Sequence, residues 1–214
     1  MPFNSYSFAG EDMMLRVLFE VDGLKIDTGG FYVDVGAHHP RRFSNSMFFY
    51  ELGWCGINID PNQGIKALFE KERPNDKFFE IALGDKITKK QFFTYNEPAL
   101  NSLINRNQEL LNTPYIPSGQ KEVQVSNLKT ILSDNLTTSI PTPNFLDIDV
   151  EGFELEVLKG NDWNKYRFSY ILIEQKVRNF ESIIDCPITI FLKNLSYEPV
   201  SRNHITTIFK DFKK

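Results

Sequence analysis

Phe31-Tyr-Val-Asp-Val-Gly-Ala-His-His-Pro40 is the stretch whose reading decides the fold. Residues 31–35 are apolar or β-branched apart from Asp34, the make-up of a buried strand. Gly36 follows where the backbone must turn sharply and lie close to whatever occupies the crevice. An acid at the carboxyl end of such a strand sits at the edge where open α/β sheets bind ligands. Taken alone, the stretch reads equally well as an ordinary strand exit with an Asp capping a turn. A second acid breaks the tie. Gly56-Ile-Asn-Ile-Asp60 is another short apolar strand ending in a carboxylate, and Pro61 stops it at once. In dinucleotide folds an acid ~20 residues beyond the glycine turn accepts from ribose hydroxyls, and the step from Gly36 to Asp60 is of that order. A nucleoside with a free ribose is the expected ligand. The glycines of a pyrophosphate cradle are missing, since Ala37, His38, His39 and Pro40 follow Gly36. A sulfonium nucleoside therefore fits better than a dinucleotide.

The chain has 214 residues with 24 basic and 28 acidic side chains, a formal net charge of -4. That length suits a single α/β domain over residues 1–214, with an N-terminal helical segment at 1–29 and a long loop at 96–120. The charge balance offers no general attraction to nucleic acid or anionic lipid, so the expected partner is a small-molecule or saccharide acceptor. No apolar run approaches a membrane span, and Met1-Pro-Phe-Asn-Ser-Tyr6 lacks the layout of a secretory signal, which makes the cytoplasm the expected location. Cys55 and Cys186 lack metal-ligand spacing and are expected to be buried structural thiols. The 19 Phe and 8 Tyr exceed what a minimal core needs and leave some for a binding cleft or a homo-oligomer interface.

Along the chain, Met14, Val17, Leu18 and Val21 stand at helical spacing within Glu11 to Val21, with Gly23 as a stop. Strands are expected over about 30–35, 56–59 and 78–82, with helices near 44–52 and 65–71 between them. Lys90 to Tyr95 reads as an antiparallel excursion beside the third strand. From Asn96 to Gln120 the pattern degrades around Pro98, Pro114, Pro117 and Gly119, with a short helix expected over Leu103 to Leu111. This loop is the candidate lid. Glu122 to Val125 alternates like a strand, Asn127 to Leu132 like a helix, and 137–143 is a Pro/Thr connector. A strand over 144–150, a helix over 153–159 capped by Gly160, a strand over 169–174 and a helix over 187–195 follow. Strands near 198–201 and 206–210 are spaced to pair as a hairpin, with His204 in its exposed turn. The architecture is a mostly parallel sheet with an antiparallel end.

With these segments in order, the chain resembles the FkbM family of S-adenosylmethionine-dependent methyltransferases from about Phe31 to Phe209. The carriers are Val33-Asp-Val-Gly-Ala37, Ile59-Asp-Pro-Asn62, Ile81-Ala-Leu-Gly-Asp85, Leu146-Asp-Ile-Asp-Val-Glu-Gly-Phe-Glu154 with Val157-Leu-Lys-Gly160, and Ile171-Leu-Ile-Glu174. The family pattern has Asn and Gly where this chain has His38 and Pro40, which places it in a His-His-Pro branch, and it has Lys where this chain has Asp147. The resemblance implies a Rossmann-like class I methyltransferase fold, a seven-stranded sheet with helices on both faces. It further implies that Asp34 and Gly36 face the methionine part of S-adenosylmethionine, that Asp60 and Asn62 hold the ribose, and that Ala82 and Leu83 lie against the adenine. Asp85 reads as a turn residue.

Asp147, Asp149 and Glu151 alternate, so an extended strand would put all three on one face. Glu174 ends the neighbouring strand and would bring more oxygen to that edge. The layout is similar to the magnesium site of catechol O-methyltransferase-like enzymes, and oxygen ligands of this kind suit Mg²⁺ or Ca²⁺, held by Asp149 and Glu174. The competing reading makes Glu151 and Glu154 solvated or helix N-terminal acids. For proton removal the candidates are Asp149 and His38, the latter sharing a side with Asp34 and Gly36. Arg41 and Arg42 read either as guides for an anionic acceptor or as a solvated loop. The function expected is methyl transfer to a hydroxyl. Its rivals are a nicotinamide-dependent oxidoreductase, disfavoured by the missing glycines, and a non-catalytic nucleoside-binding module.

Overall fold

The computed structural model describes residues 3–136, 143–177 and 179–213. Its elements run α1 (Glu11–Val21), β1 (Phe31–Val35), α2 (Met47–Glu51), β2 (Cys55–Ile59), α3 (Ile65–Glu72), β3 (Lys77–Phe79), β4 (Ala82–Leu83) and β5 (Thr88–Tyr95). There follow β6 (Pro117–Ser126), α4 (Leu128–Asn135), β7 (Phe145–Ile148), α5 (Glu154–Lys159), β8 (Tyr170–Glu174), α6 (Phe180–Ile184), α7 (Pro187–Lys193), β9 (Tyr197–Arg202) and β10 (Thr206–Asp211). Most of the Pro/Thr connector read over 137–143 lies outside the described residues.

Seven strands form one sheet in the order β3-β2-β1-β7-β8-β10-β9. The first five are parallel and β10 runs antiparallel to both β8 and β9, as the sequence pattern implied. Side chains alternate between two cores because both faces are covered. Val33, Ile57, Leu146 and Ile171 pack with Leu128, Leu132 and Leu158 of α4 and α5 on one face. On the other, Tyr32, Phe145 and Tyr170 pack with Leu15, Phe19 and Phe49 of α1 and α2. The sheet is thus a Rossmann-like layer between helices. Strand order reverses between β1 and β7, and the loops leaving their carboxyl ends meet there. Such a switch point is where open α/β sheets form their ligand crevice.

Three local readings need correction. The buried stripe of α1 is Leu15 and Phe19, whereas Val17 and Val21 are exposed. The helix keeps its expected length but is rotated, because its aromatic residue is the one that finds the Phe49 and Tyr170 rings. The third strand divides: Lys77–Phe79 edges the main sheet, and Ala82–Leu83 leaves it to pair with β6. There β5 and β6 form a long antiparallel hairpin, giving a three-stranded sheet in the order β4-β6-β5. Residues 103–111 form successive turns and no helix. Arg106 within them is buried and reaches out of the segment to Glu151 as well as pairing locally with Glu109, a burial that a solvated helix would not give it.

Candidate active site

Two rows of residues cross the carboxyl ends of the parallel strands. Asp34 is in register with Asn58 on β2 and with Asp147 on β7, and Asp147 with Leu172 on β8. Continuing that register by two residues gives a second row at the rim, Asp60, Gly36, Asp149 and Glu174, ~7 Å further along the strands. Two backbone bonds tie this row together, from Gly36 N–H to the Ile59 carbonyl at 2.8 Å and from Asp149 N–H to the Val35 carbonyl at 2.9 Å. At Gly36 φ is 90°, and a Cβ there would lie 1.7 Å from the Asp149 carbonyl oxygen. Only glycine lets the two loops close on each other.

Asp60 is buried at the wall of the cleft. One of its oxygens accepts the His38 N–H at 2.9 Å and the other the Asn62 N–H at 2.7 Å. A carboxylate has about four acceptor positions, so each oxygen keeps capacity for a hydroxyl. Burial raises its pKa while the two N–H groups hold it down. Asn62 lines the same cleft, but its side chain is turned to the lid: it accepts from Asn101 at 2.6 Å and donates to the Pro98 carbonyl at 3.4 Å. Ala82 and Leu83 form a flat apolar wall with Ile59 and Phe153 opposite the rim.

The buried row behaves differently. Asp34 lines neither this cleft nor the adjoining one. Its carboxylate accepts from Ser46 Oγ at 2.5 Å under the loop 38–46, and burial lifts its pKa to about 6. Asp147 accepts from Asn45 at 2.9 Å, and burial together with the Asp34 charge pushes it well above the carboxylate range. Beside them Arg73, fully buried, pairs with Asp76 at 2.7 Å and donates to Tyr32, Ser44, Ser46, Asn58 and the Pro40 carbonyl. This network carries the loop that carries His38. An arginine before Pro74 at a helix end reads in sequence as a solvated cation, so nothing in the chain announces it.

Nor do Asp147, Asp149 and Glu151 form one cluster. Strand β7 ends at Ile148, and Glu151 turns away at φ 57° to pair with Arg106 and with Lys176 at 2.8 Å. The third acid at the rim is Glu154, whose side chain accepts the Gly152 N–H at 2.8 Å. Carboxylate oxygens of Asp149, Glu154 and Glu174 lie within 4.8 Å of one another. Asp149 is exposed to the cleft, while protein packs densely around its other sides. Burial, then the charge of Glu174, raises its pKa well above the usual range, and Glu174 rises to about 7 through burial and the charge of Glu151.

His38 stands at φ 46° on the border of both cavities. Its Nε2 lies 3.1 Å from Arg42 Nη1, and since arginine only donates, Nε2 accepts and the ring proton sits on Nδ1. Burial and the Arg42 charge lower its pKa to about 4. Arg42 also grips Glu97 in a fork at 2.9 and 2.7 Å, which holds that carboxylate at about 2 and latches the 38–46 loop to the lid. The lid is anchored on its far side by Ser102, which donates to the Glu151 carbonyl at 2.9 Å.

Two cavities result. The first, roofed by Pro98, Ala99, Asn101 and Ser102, contains Asp60, Asn62, Ala82 and Leu83. The second contains Phe43, Asn45, Tyr115 and Glu174, and the two share Gly36, His38, Ala99 and Asp149. A Rossmann-like sheet with a half-satisfied acid at the rim of its switch point has the layout of a ligand-binding α/β enzyme. The family model described as the methyltransferase FkbM domain matches residues 34–210, from the Asp34 strand to β10, and the chain belongs to that family. It is a methyltransferase. The comparison with curated proteins gives no match. Among the described residues no helix is long and apolar enough to cross a membrane.

Proposed function

We propose that this methyltransferase uses S-adenosylmethionine to methylate a hydroxyl of a small-molecule or saccharide acceptor. The observation that carries the reading is the junction of the two cavities at Gly36 and Asp149: one side is lined by the half-satisfied Asp60 and by apolar Ala82 and Leu83, the other lies beside three carboxylates. When bound, the sulfonium cofactor supplies an electrophilic methyl group. Asp60 would hold its ribose hydroxyls and the wall at Ala82 and Leu83 its adenine, with Gly36 beside the methionine part. Asp34 lies one row too deep for that contact.

Asp149 is the acid at the junction, and we assign it the proton of the acceptor hydroxyl. Raised by burial and by Glu174, its carboxylate takes up a proton far more readily than an ordinary one, which suits a general base near neutrality. His38 serves that role poorly, because its Nε2 lone pair already accepts from Arg42 and the ring charges only near pH 4. Its part is to hold Asp60 through its backbone and to close the wall between the cavities. The lid over 96–116 covers the first cavity, through Pro98, Ala99, Asn101 and Ser102.

A second reading has an observation of its own. The convergence of Asp149, Glu154 and Glu174 within 4.8 Å suits a hard divalent cation, which would orient the acceptor oxygen and lower its pKa. Calorimetric titration with S-adenosylhomocysteine and, separately, with NAD tests the cofactor: binding of NAD with no response to the sulfur nucleoside would end the reading. Once an acceptor is known, chelation decides the metal: unchanged turnover leaves the carboxylates as proton carriers, and loss restored by Mg²⁺ makes them ligands.

A further inference from the structure

We propose that residues 97–101 form a flap over the first cavity, hinged on the β5–β6 hairpin and locked by the Arg42–Glu97 fork, and that opening of this lock sets the rate at which the nucleoside enters and leaves. The proposal rests on the cofactor reading above and adds to it the path of exchange.

Both ends of the segment are clamped. At its start Asn96 donates its N–H to the Ile116 carbonyl at 3.0 Å and accepts the Ile116 N–H on Oδ1 at 2.9 Å. At its end Ser102, which is buried, exchanges two backbone bonds with Phe93 of β5, at 2.8 and 3.1 Å, and its hydroxyl donates to the Glu151 carbonyl. Just beyond, Arg106 pairs with Glu151, their side chains 5% and 11% exposed. A buried pair of this kind is costly to open. Between the clamps the chain makes one tight turn, Pro98–Leu100, and Glu97 caps it by accepting the Ala99 N–H at 3.2 Å. A capped turn with fixed ends can swing as one piece.

What holds the turn down is weaker. Asn62 meets it from across the cleft, accepting from Asn101 at 2.6 Å and donating to the Pro98 carbonyl at 3.4 Å, and Arg42 reaches Glu97 at 2.9 and 2.7 Å. The Asn62 bonds join neutral groups and one of them is long, so the charged fork is the strongest tie. Its side chains are 43% and 25% exposed, where water and salt compete for them, so it opens far more readily than the Arg106 pair. The flap therefore lifts at its Glu97 end and stays anchored beyond Ser102. Pro98, Ala99 and Asn101 line the cavity that holds Asp60, Ala82 and Leu83, and lifting them uncovers it. Neither Arg42 nor Glu97 lines that cavity, so the fork acts on a nucleoside there only through the flap.

The test loads the full chain with radiolabelled S-adenosylhomocysteine and follows release into excess unlabelled compound by rapid filtration, with association measured in the same way and Kd by calorimetry. Arg42→Met and Glu97→Gln should each speed release and association together, by about 5-fold, the size an exposed charged fork supports, while Kd stays within about 2-fold. Raising sodium chloride from about 0.05 to about 1 M should speed exchange in the unaltered protein and do so much less in the variants. Faster release with unchanged association would overturn the proposal, because the fork would then serve affinity and not passage. Unchanged rates would overturn it too, since the nucleoside would then pass through the second cavity. Should both variants fail to bind, the salt series on the unaltered protein decides: exchange indifferent to salt overturns the lock. Failure of the unaltered protein to bind S-adenosylhomocysteine is read separately, in the first titration, and would remove the cofactor reading instead.

Discussion

Asp34 and Asp60 look interchangeable in the sequence, each an acid at the end of a short apolar strand, yet they belong to different parts of the molecule. Asp60 stands in the rim row with both oxygens half satisfied, facing a cleft. Asp34 stands one pleat repeat deeper, in a row with Asn58 and Asp147, under a loop and beside a buried arginine. The same contrast separates Asp149 from Asp147. At the carboxyl edge of this parallel sheet, two residues along the strand divide the groups that line the cavities from those that hold up the loops around them.

The contrast breaks most visibly at Arg73. Replacement by Met should cost about 3–5 kcal/mol in urea unfolding, because Asp76 would be left buried without its partner. Next comes the pH dependence of the buried row. The folded state holds the Asp34 proton to about pH 6 against an ordinary 3.8, so it binds protons more tightly than the unfolded chain between those values. Stability must therefore fall as pH rises from about 4 to 6, by an amount of order 3 kcal/mol from this group, and Asp34→Asn should flatten that fall. Gly36→Ala strikes where the rows meet. It should lose about 1–3 kcal/mol of stability and weaken nucleoside binding as well, since the added methyl collides with the Asp149 carbonyl. The smallest effect is expected at Asn62. Its replacement by Ala should leave stability within about 1 kcal/mol but loosen the 98–101 segment, visible as faster hydrogen exchange there.

Much of this was legible in the chain. The strand and helix order, the antiparallel end and the acid at Asp60 follow from apolar runs and from Pro61, which marks where β2 meets the rim. No such mark ends β1, so depth along that strand could not be read and Asp34 was grouped with Gly36. Alternation placed Glu151 with Asp149 on the assumption that the strand continued, whereas the positive φ at Glu151 turns it away. The second sheet was hidden because β4 is only Ala82 and Leu83, too short to show a period. The partners Ser46, Asn58 and Asp76 of the buried network are scattered polar residues with no shared spacing. Phe153, which lines the first cavity, reads simply as the first turn of a helix.

The division into rows is tested most directly by titrating S-adenosylhomocysteine into Asp60→Asn and Asp34→Asn side by side. Loss of a charged acceptor for two ribose hydroxyls should lower affinity about 10-fold or more in Asp60→Asn, while Asp34→Asn stays within about 2-fold of the unaltered protein. The reverse order, with Asp34→Asn the weaker binder and still folded, would show that the buried row, not the rim, meets the cofactor.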